Sequence, residues 1–354
     1  MSRLHDGQKP FFHFGGHLRK ILPSGFRTPA KFRTLLQNFE ESLDRRLQNL
    51  KPKNRSDVLN ISWMTQAIES LSETHNDVKS LITNLQFPSS DWDESWMDSY
   101  LNDSLKLLDV CISLSSEVSR LDQGQLLLQY AIHLLNVSDG HPPSDQRFRA
   151  RDSISEWLQQ VGPKGSNPVT PRSAKLEHCL DILRELVNTL YAPKIKTSAR
   201  GRILLRAMYG VKVQTIFVCG VFVAAFSRSA KALVELQVPE KFLWSSTFMD
   251  VQNDINSEIR RLFGEGSLTV LKDVEAVDGR ARELLALTEN ASEAFSSEDA
   301  EMLKNCVTEL KEKVENFAQG LDLLSKQVDG FFQVVLQGRD ALLCNLRVSS
   351  EQPK

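Results

Sequence analysis

Between Leu303 and Val335 the apolar residues fall at alternating gaps of four and three without a break. The series is Leu303, Val307, Leu310, Val314, Phe317, Leu321, Leu324, Val328, Phe331 and Val335. This is a heptad seam over more than four repeats, and a strand, with its period of two, cannot produce it. Lys304, Glu309, Lys313, Glu315, Asp322 and Lys326 occupy the other faces. Glu309 precedes Lys313 by four residues, the favourable order for a helical ion pair. Gly320 and Gly330 each cost about 1 kcal/mol against Ala and mark places for a bend. Such a seam is buried either in its own bundle or against a partner helix, and the pattern serves both. The prediction is one helix over 298–346, and for the whole chain an all-α fold, an elongated multi-helix bundle.

The rest of the chain is patterned alike, with no alternating runs bounded by hairpin turns. Thr28 is placed to cap a first helix, with Pro29 at its first position and Phe32, Leu35, Leu36, Phe39, Leu43 and Leu47 on one face. A second helix is predicted over 61–85, stopped by Phe87-Pro88-Ser89-Ser90. In DWDESWMD beyond it, Asp91 and Glu94 have capping-box spacing, and acids suit the positive end of a helix dipole. An acidic metal site is the alternative there. The next helix carries Leu101, Leu105, Leu108 and Ile112 and continues past Gly124 to Leu135.

SDGHPPSD (138–145) and GPKGSNPVTPRS (162–173) bracket one modest helix over 146–160. The stretch 138–173 therefore reads as a flexible insert. Thr170-Pro171 within it matches a proline-directed phosphorylation site. Helices are predicted again over 174–190, 198–236, 246–263 and 268–289. The organisation is a basic irregular segment (1–27), an N-terminal helical part (28–137), the insert, a C-terminal helical part (174–347) and a tail (348–354).

Residues 215–226, TIFVCGVFVAAF, hold no charge and no amide side chain. Twelve helical residues span about 18 Å, against about 30 Å of bilayer hydrocarbon. A full span must take in Lys212 and Gln214, or Arg228 and Lys231, at about 2.5–3.5 kcal/mol for each charge placed centrally. Val213, Ile216, Val218, Val221 and Val223 are β-branched and admit a buried strand, but the flanks ILLRAM and SAKALVEL are helical. Gly220 and Ala224 allow close helix approach in either solvent. The reading is a long helix whose middle, 213–226, is buried on all sides. A membrane segment is the alternative, with its Lys/Arg-rich N-terminal flank in the cytosol.

Net charge is −2, yet unevenly distributed. Residues 1–33 hold seven basic residues and one acid. From Leu186 to Val234 there is no Asp or Glu, while Lys194, Lys196, Arg200, Arg202, Arg206, Lys212, Arg228 and Lys231 add eight positive charges. Lys194 to Lys212 form a candidate contact for an anionic membrane surface, the alternative being a solvated basic face. Nucleic acid is disfavoured, because only Tyr191 and Tyr209 interleave this cluster and no binding motif accompanies it. Five cysteines, none within a CxxC, fit a reducing compartment. Asn60-Ile-Ser and Asn136-Val-Ser match the glycosylation acceptor pattern, read as accidental without a signal peptide. The basic N-terminus is of the kind seen in organelle transit peptides.

Catalytic motifs are missing. There is no phosphate-binding GxxxxGK[ST], no HExxH and no GxSxG, and Gly264-Glu-Gly266 lacks the third glycine of a dinucleotide fingerprint. His13 and His17 sit four apart, but Gly15-Gly16 between them opposes a helical metal face. His75, His133 and His178 lie in amphipathic helices as structural residues. No catalytic residue, cofactor or metal is assigned, although catalytic groups distant in sequence escape such a search.

Several stretches together resemble a plant family, the Bypass proteins, with the ROH proteins as relatives. They are FFHFGGHLRKILPSG, LLQNFEESLDRRLQNLKP, ISWMTQAIESLSETHNDVKSLITNLQFP with DWDESWMDSYLNDSLKLLDVC, and GRDALLCNLR. The resemblance covers nearly the whole chain through their order rather than any one motif, and 138–173 contributes least. It implies a plant developmental regulator without known enzymatic activity, required for normal root and shoot development. The resemblance further implies an association with restraining a root-derived mobile signal, linked to carotenoid metabolism, that arrests shoot growth. The ROH side implies an exocyst-binding adaptor in secretion. An unrecognised enzyme of isoprenoid metabolism is a further alternative. The family implies protein partners, and plastid, cytosol or membranes as location.

Overall fold

The computed structural model describes residues 29–52, 59–85, 94–136, 142–161, 171–190, 198–267, 269–289 and 297–350. The segment 1–27, the Thr28 cap, Asp91 and its capping box, the metal-site alternative there, His13, His17, Thr170, Lys194, Lys196 and the last four residues lie outside them. Nine α-helices follow one another among the described residues: α1 (Ala30–Leu50), α2 (Ile61–Leu85), α3 (Glu94–Leu135), α4 (Ser144–Gln160), α5 (Pro171–Asn188), α6 (Ala199–Ser227), α7 (Ser245–Gly264), α8 (Lys272–Glu289) and α9 (Ser297–Ser350). No strand occurs among these residues.

The long helix α9 is the spine. It packs against α2, α3 and α8 and runs unbroken through Gly320 and Gly330 into the stretch read as tail. The apolar helix α6 lies in a second layer, against α1, α2, α3 and α5. Local chemistry sets the joints. Asn60 caps α2 by accepting from Trp63 N at 2.7 Å, so an apparent glycosylation acceptor works as a helix cap. Trp63 Nε1 donates to Leu50 O at 3.0 Å and closes the α1–α2 corner. Asp273 of α8 accepts from Ile61 N at 2.7 Å, tying the α2 start to α8. Leu59 beside it is fully buried at φ 64°, a left-handed conformation unusual for a Leu. Pro29 takes the cap position of α1 rather than its first helical position.

Two departures from the sequence reading have physical causes. The helix predicted over 198–236 ends at Ser227, where Arg228 turns left-handed at φ 57°. After one 3-10 turn (Ala230–Ala232) the chain runs on outside any helix, because α7 captures its backbone. Gln252 accepts from Leu236 N at 2.9 Å and donates to Leu236 O at 3.1 Å, and Asn256 donates to Val234 O at 3.3 Å. The second departure is the insert, whose helix α4 packs on α3 and α8 and, with Val161 just beyond its end, buries Ala150, Ile154, Trp157 and Val161 completely. Gly124 permits the closest approach, since a Cβ there would stand 2.2 Å from Val161 Cγ2.

Candidate functional site

The heptad seam is occupied from within. All ten residues from Leu303 to Val335 are at most 3% exposed, so α9 turns this face into its own bundle. Phe317 meets Trp157 edge to face at 6.2 Å, and Phe331 meets the ring of His75 at 5.2 Å.

Within the described part of the basic zone, several side chains are engaged inside the molecule. Arg206 forms a two-point ion pair with Glu40, through Nε to Oε1 and Nη2 to Oε2, the latter at 3.1 Å. Its Nη2 also donates to Lys241 O at 2.6 Å, and its guanidinium lies 4.7 Å from the centre of the Phe242 ring. Lys212 bonds Asp103 at 2.7 Å and Thr189 Oγ1 at 2.8 Å. Arg200 stacks over Phe32 at 5.4 Å, and Arg202 has a partner of its own. Arg228 donates to Val161 O at 2.7 Å. Arg200, Arg206, Lys212 and Arg228 thus join elements of the fold.

The apolar stretch of α6 is enclosed. Its most apolar window of 18 residues is long and apolar enough to cross a membrane, and 89% of that window is buried in the molecule. Two polar residues interrupt it at the α2 contact. Gln214 Nε2 donates to Ser70 Oγ at 2.8 Å, and Thr215 Oγ1 lies 3.2 Å from His75 Nε2. Burial pushes the His75 imidazole down to about 4.

Four of the five cysteines, all but the exposed Cys344, are buried. Burial pushes the Cys111 thiol up to about 12 and raises those of Cys179 and Cys219, which lie close enough to act on one another. Cys306 is pushed up to about 11, again mainly by burial. Neutral thiols of this kind are poor nucleophiles. Among the described residues no cluster of three or more His, Cys, Asp or Glu is arranged to hold a metal.

Sequence reasoning missed the polar ties Ser70–Gln214 and His75–Thr215, whose partners are far apart in the chain. It also placed Leu105 and Ile112 on one apolar stripe with Leu101 and Leu108. Leu108 is buried, but Leu105 and Ile112, its neighbours on the same face of α3, are 51% and 56% exposed at the rim of that face.

The model of the ROH1-like family matches residues 27–161 and 180–346, most of the chain and nearly all of its helices. The chain belongs to this Bypass/ROH1-like family. It is 44% identical to Protein BPS1, chloroplastic, of Arabidopsis thaliana, over 98% of this chain and 93% of that protein. UPF0496 protein 4 of Oryza sativa subsp. japonica is 36% identical, with 100% of this chain and 99% of that protein covered. Protein ROH1D of Arabidopsis thaliana is more distant, 21% identical over 86% of each chain. No solved structure matches. None of these family members bears the name of an enzyme.

Proposed function

We propose that the chain is a non-enzymatic plant developmental regulator that works as a helical adaptor, required for normal root and shoot growth. In this reading it restrains a root-derived mobile signal, linked to carotenoid metabolism, that arrests the shoot. The observation that carries it is end-to-end relatedness to Protein BPS1, chloroplastic. Internally engaged arginines, seam and thiols are consistent with a scaffold rather than a reaction centre. The test is rescue of a plant lacking its own family member. Mutant rootstocks expressing this chain, grafted to wild-type shoots, should permit shoot growth, and continued arrest despite normal protein levels refutes the reading.

The name of that relative supports action in the plastid, with the basic N-terminus as targeting segment. Attachment to an anionic membrane through basic residues is the cytosolic alternative. Fractionation of the untagged protein, with N-terminal sequencing, separates them. A shortened chain in the plastid stroma supports targeting, and a full-length chain released from membranes by salt supports attachment. The relation to Protein ROH1D favours a second reading, an adaptor that binds an exocyst subunit. Failure of every exocyst subunit to co-purify, under conditions that retain a known complex, removes that reading.

A further inference from the structure

The outer side of α3 carries an apolar stripe that the described chain leaves open. Leu105 is 51% exposed, Ile112 56%, Leu126 52% and Tyr130 46%. Single exposed apolar residues are ordinary, but these four are in register. Ile112 follows Leu105 by seven residues and Leu126 follows Ile112 by fourteen, so all three share one heptad position. Tyr130, four beyond Leu126, falls on the companion position. The remaining faces of α3 are taken by α4, α5, α6 and α9.

The charge beside the stripe has one dominant sign. Asp98, Asp109 and Asp122 are exposed on α3. Asp329 of α9 borders it, accepting from Ser115 Oγ at 3.2 Å. The neighbouring cations are already paired: Lys106 with Glu185 at 2.7 Å, Arg120 with Glu117 at 2.9 Å. Lys175 reaches the edge at Ser116, at 3.1 Å, and Arg339 of α9 is turned to the α3 backbone, donating to Leu101 O at 2.6 Å, so two positive groups stand against four aspartates.

We propose that this face docks a basic amphipathic helix of a partner protein. The partner sets its apolar residues over Leu105, Ile112 and Leu126 and its Lys or Arg residues opposite the aspartates. A second copy of this chain fits less well. An antiparallel α3–α3 pairing that sets Leu105 on Leu126 also sets Asp109 on Asp122. The proposal rests on the adaptor reading above and names the surface through which that adaptor binds.

The test uses the full chain and two synthetic helical probes of about four heptads with identical Leu seams. One probe carries Lys at the flanking positions and the other Glu. Binding is read by fluorescence anisotropy for the wild-type chain, for Ile112→Asp and for Asp109→Lys with Asp122→Lys. These positions are exposed, and thermal melts confirm that the variants fold. The Lys probe should bind at least about tenfold more tightly than the Glu probe. Ile112→Asp should weaken it by about tenfold or more, and the double Lys variant should reverse the preference between probes. Equal affinity for both probes, or binding untouched by Ile112→Asp, overturns the proposal. So does a concentration-dependent dimer in sedimentation that Ile112→Asp abolishes, which assigns the face to a second copy. Graft rescue is scored separately, so a chain that rescues growth but fails the probe test loses this surface and keeps the adaptor reading.

Discussion

His75 makes the fold acid-sensitive in a way that one substitution isolates. Its ring sits between Thr215 of α6, 3.2 Å away, and Phe331 of α9, centroids 5.2 Å apart. Burial lowers its pKa from 6.5 to about 4, so the native state holds a neutral imidazole that the unfolded chain protonates more readily. The contribution to stability is therefore complete above 6.5 and is lost as pH falls toward about 4. The gap corresponds to about 3 kcal/mol in full, of which about 2 kcal/mol is already lost at about pH 5. His75→Gln keeps an amide donor for Thr215 and removes the titration. Urea unfolding followed by circular dichroism at about pH 7 and about pH 5 gives four stabilities. Wild type should lose about 2 kcal/mol more than the variant between the two pH values. His133 and His178 remain in both proteins and cancel. Equal losses would refute a buried neutral His75 as the source of the acid sensitivity.

Gly124→Ala places a Cβ 2.2 Å from Val161 Cγ2 and 3.2 Å from Trp157 Cζ3, so stability should drop by about 1–3 kcal/mol, measured as a lowered midpoint in urea. Glu40→Ala strands the Arg206 guanidinium, which is 28% exposed, and should cost about 3 kcal/mol, with Glu40→Gln intermediate in the same assay. Gln252→Ala removes both hydrogen bonds to Leu236 and should cost about 2 kcal/mol, with hydrogen exchange accelerating at the Leu236 amide while the α9 interior stays protected.

The helices most legible in the sequence are those with both a periodic face and a stop signal. The bounds read for α2 agree with the structure because Asn60 caps its start and Phe87-Pro88 follows its end. The end of α6 was illegible because SAKALVEL is locally helical and the groups that pull it out of helix, Gln252 and Asn256, arrive from α7. Trp157 was overlooked for a similar reason. Its flanks are rich in Pro and Gly, which describes its connections and says nothing of the core it fills. On α3 periodicity revealed Leu101, Leu105, Leu108 and Ile112 without telling that the bundle covers Leu108 and leaves Leu105 and Ile112 half exposed. Charge was legible only as composition, since Glu40 stands 166 residues from Arg206 and Asp103 109 residues from Lys212.

The apolar run of α6 shows why composition alone leaves a membrane helix and a core helix alike. Both need apolar surface on every side. They differ in what happens to polar groups within the helix and at its ends. Here Gln214 and Thr215 meet Ser70 and His75 of α2, contacts that a lipid environment does not supply. Arg206 and Lys212 are held by Glu40 of α1 and Asp103 of α3. Moving α6 into a bilayer would strand these two carboxylates. It would also leave two uncompensated hydrogen-bonding groups in hydrocarbon and uncover the surfaces of α1, α2 and α5 that now enclose it. Lost tertiary pairing thus weighs against the gain from lipid contact, since in the fold the same apolar side chains are already removed from water. The partners on neighbouring helices, rather than the hydropathy of the run, make α6 a core element of this structure.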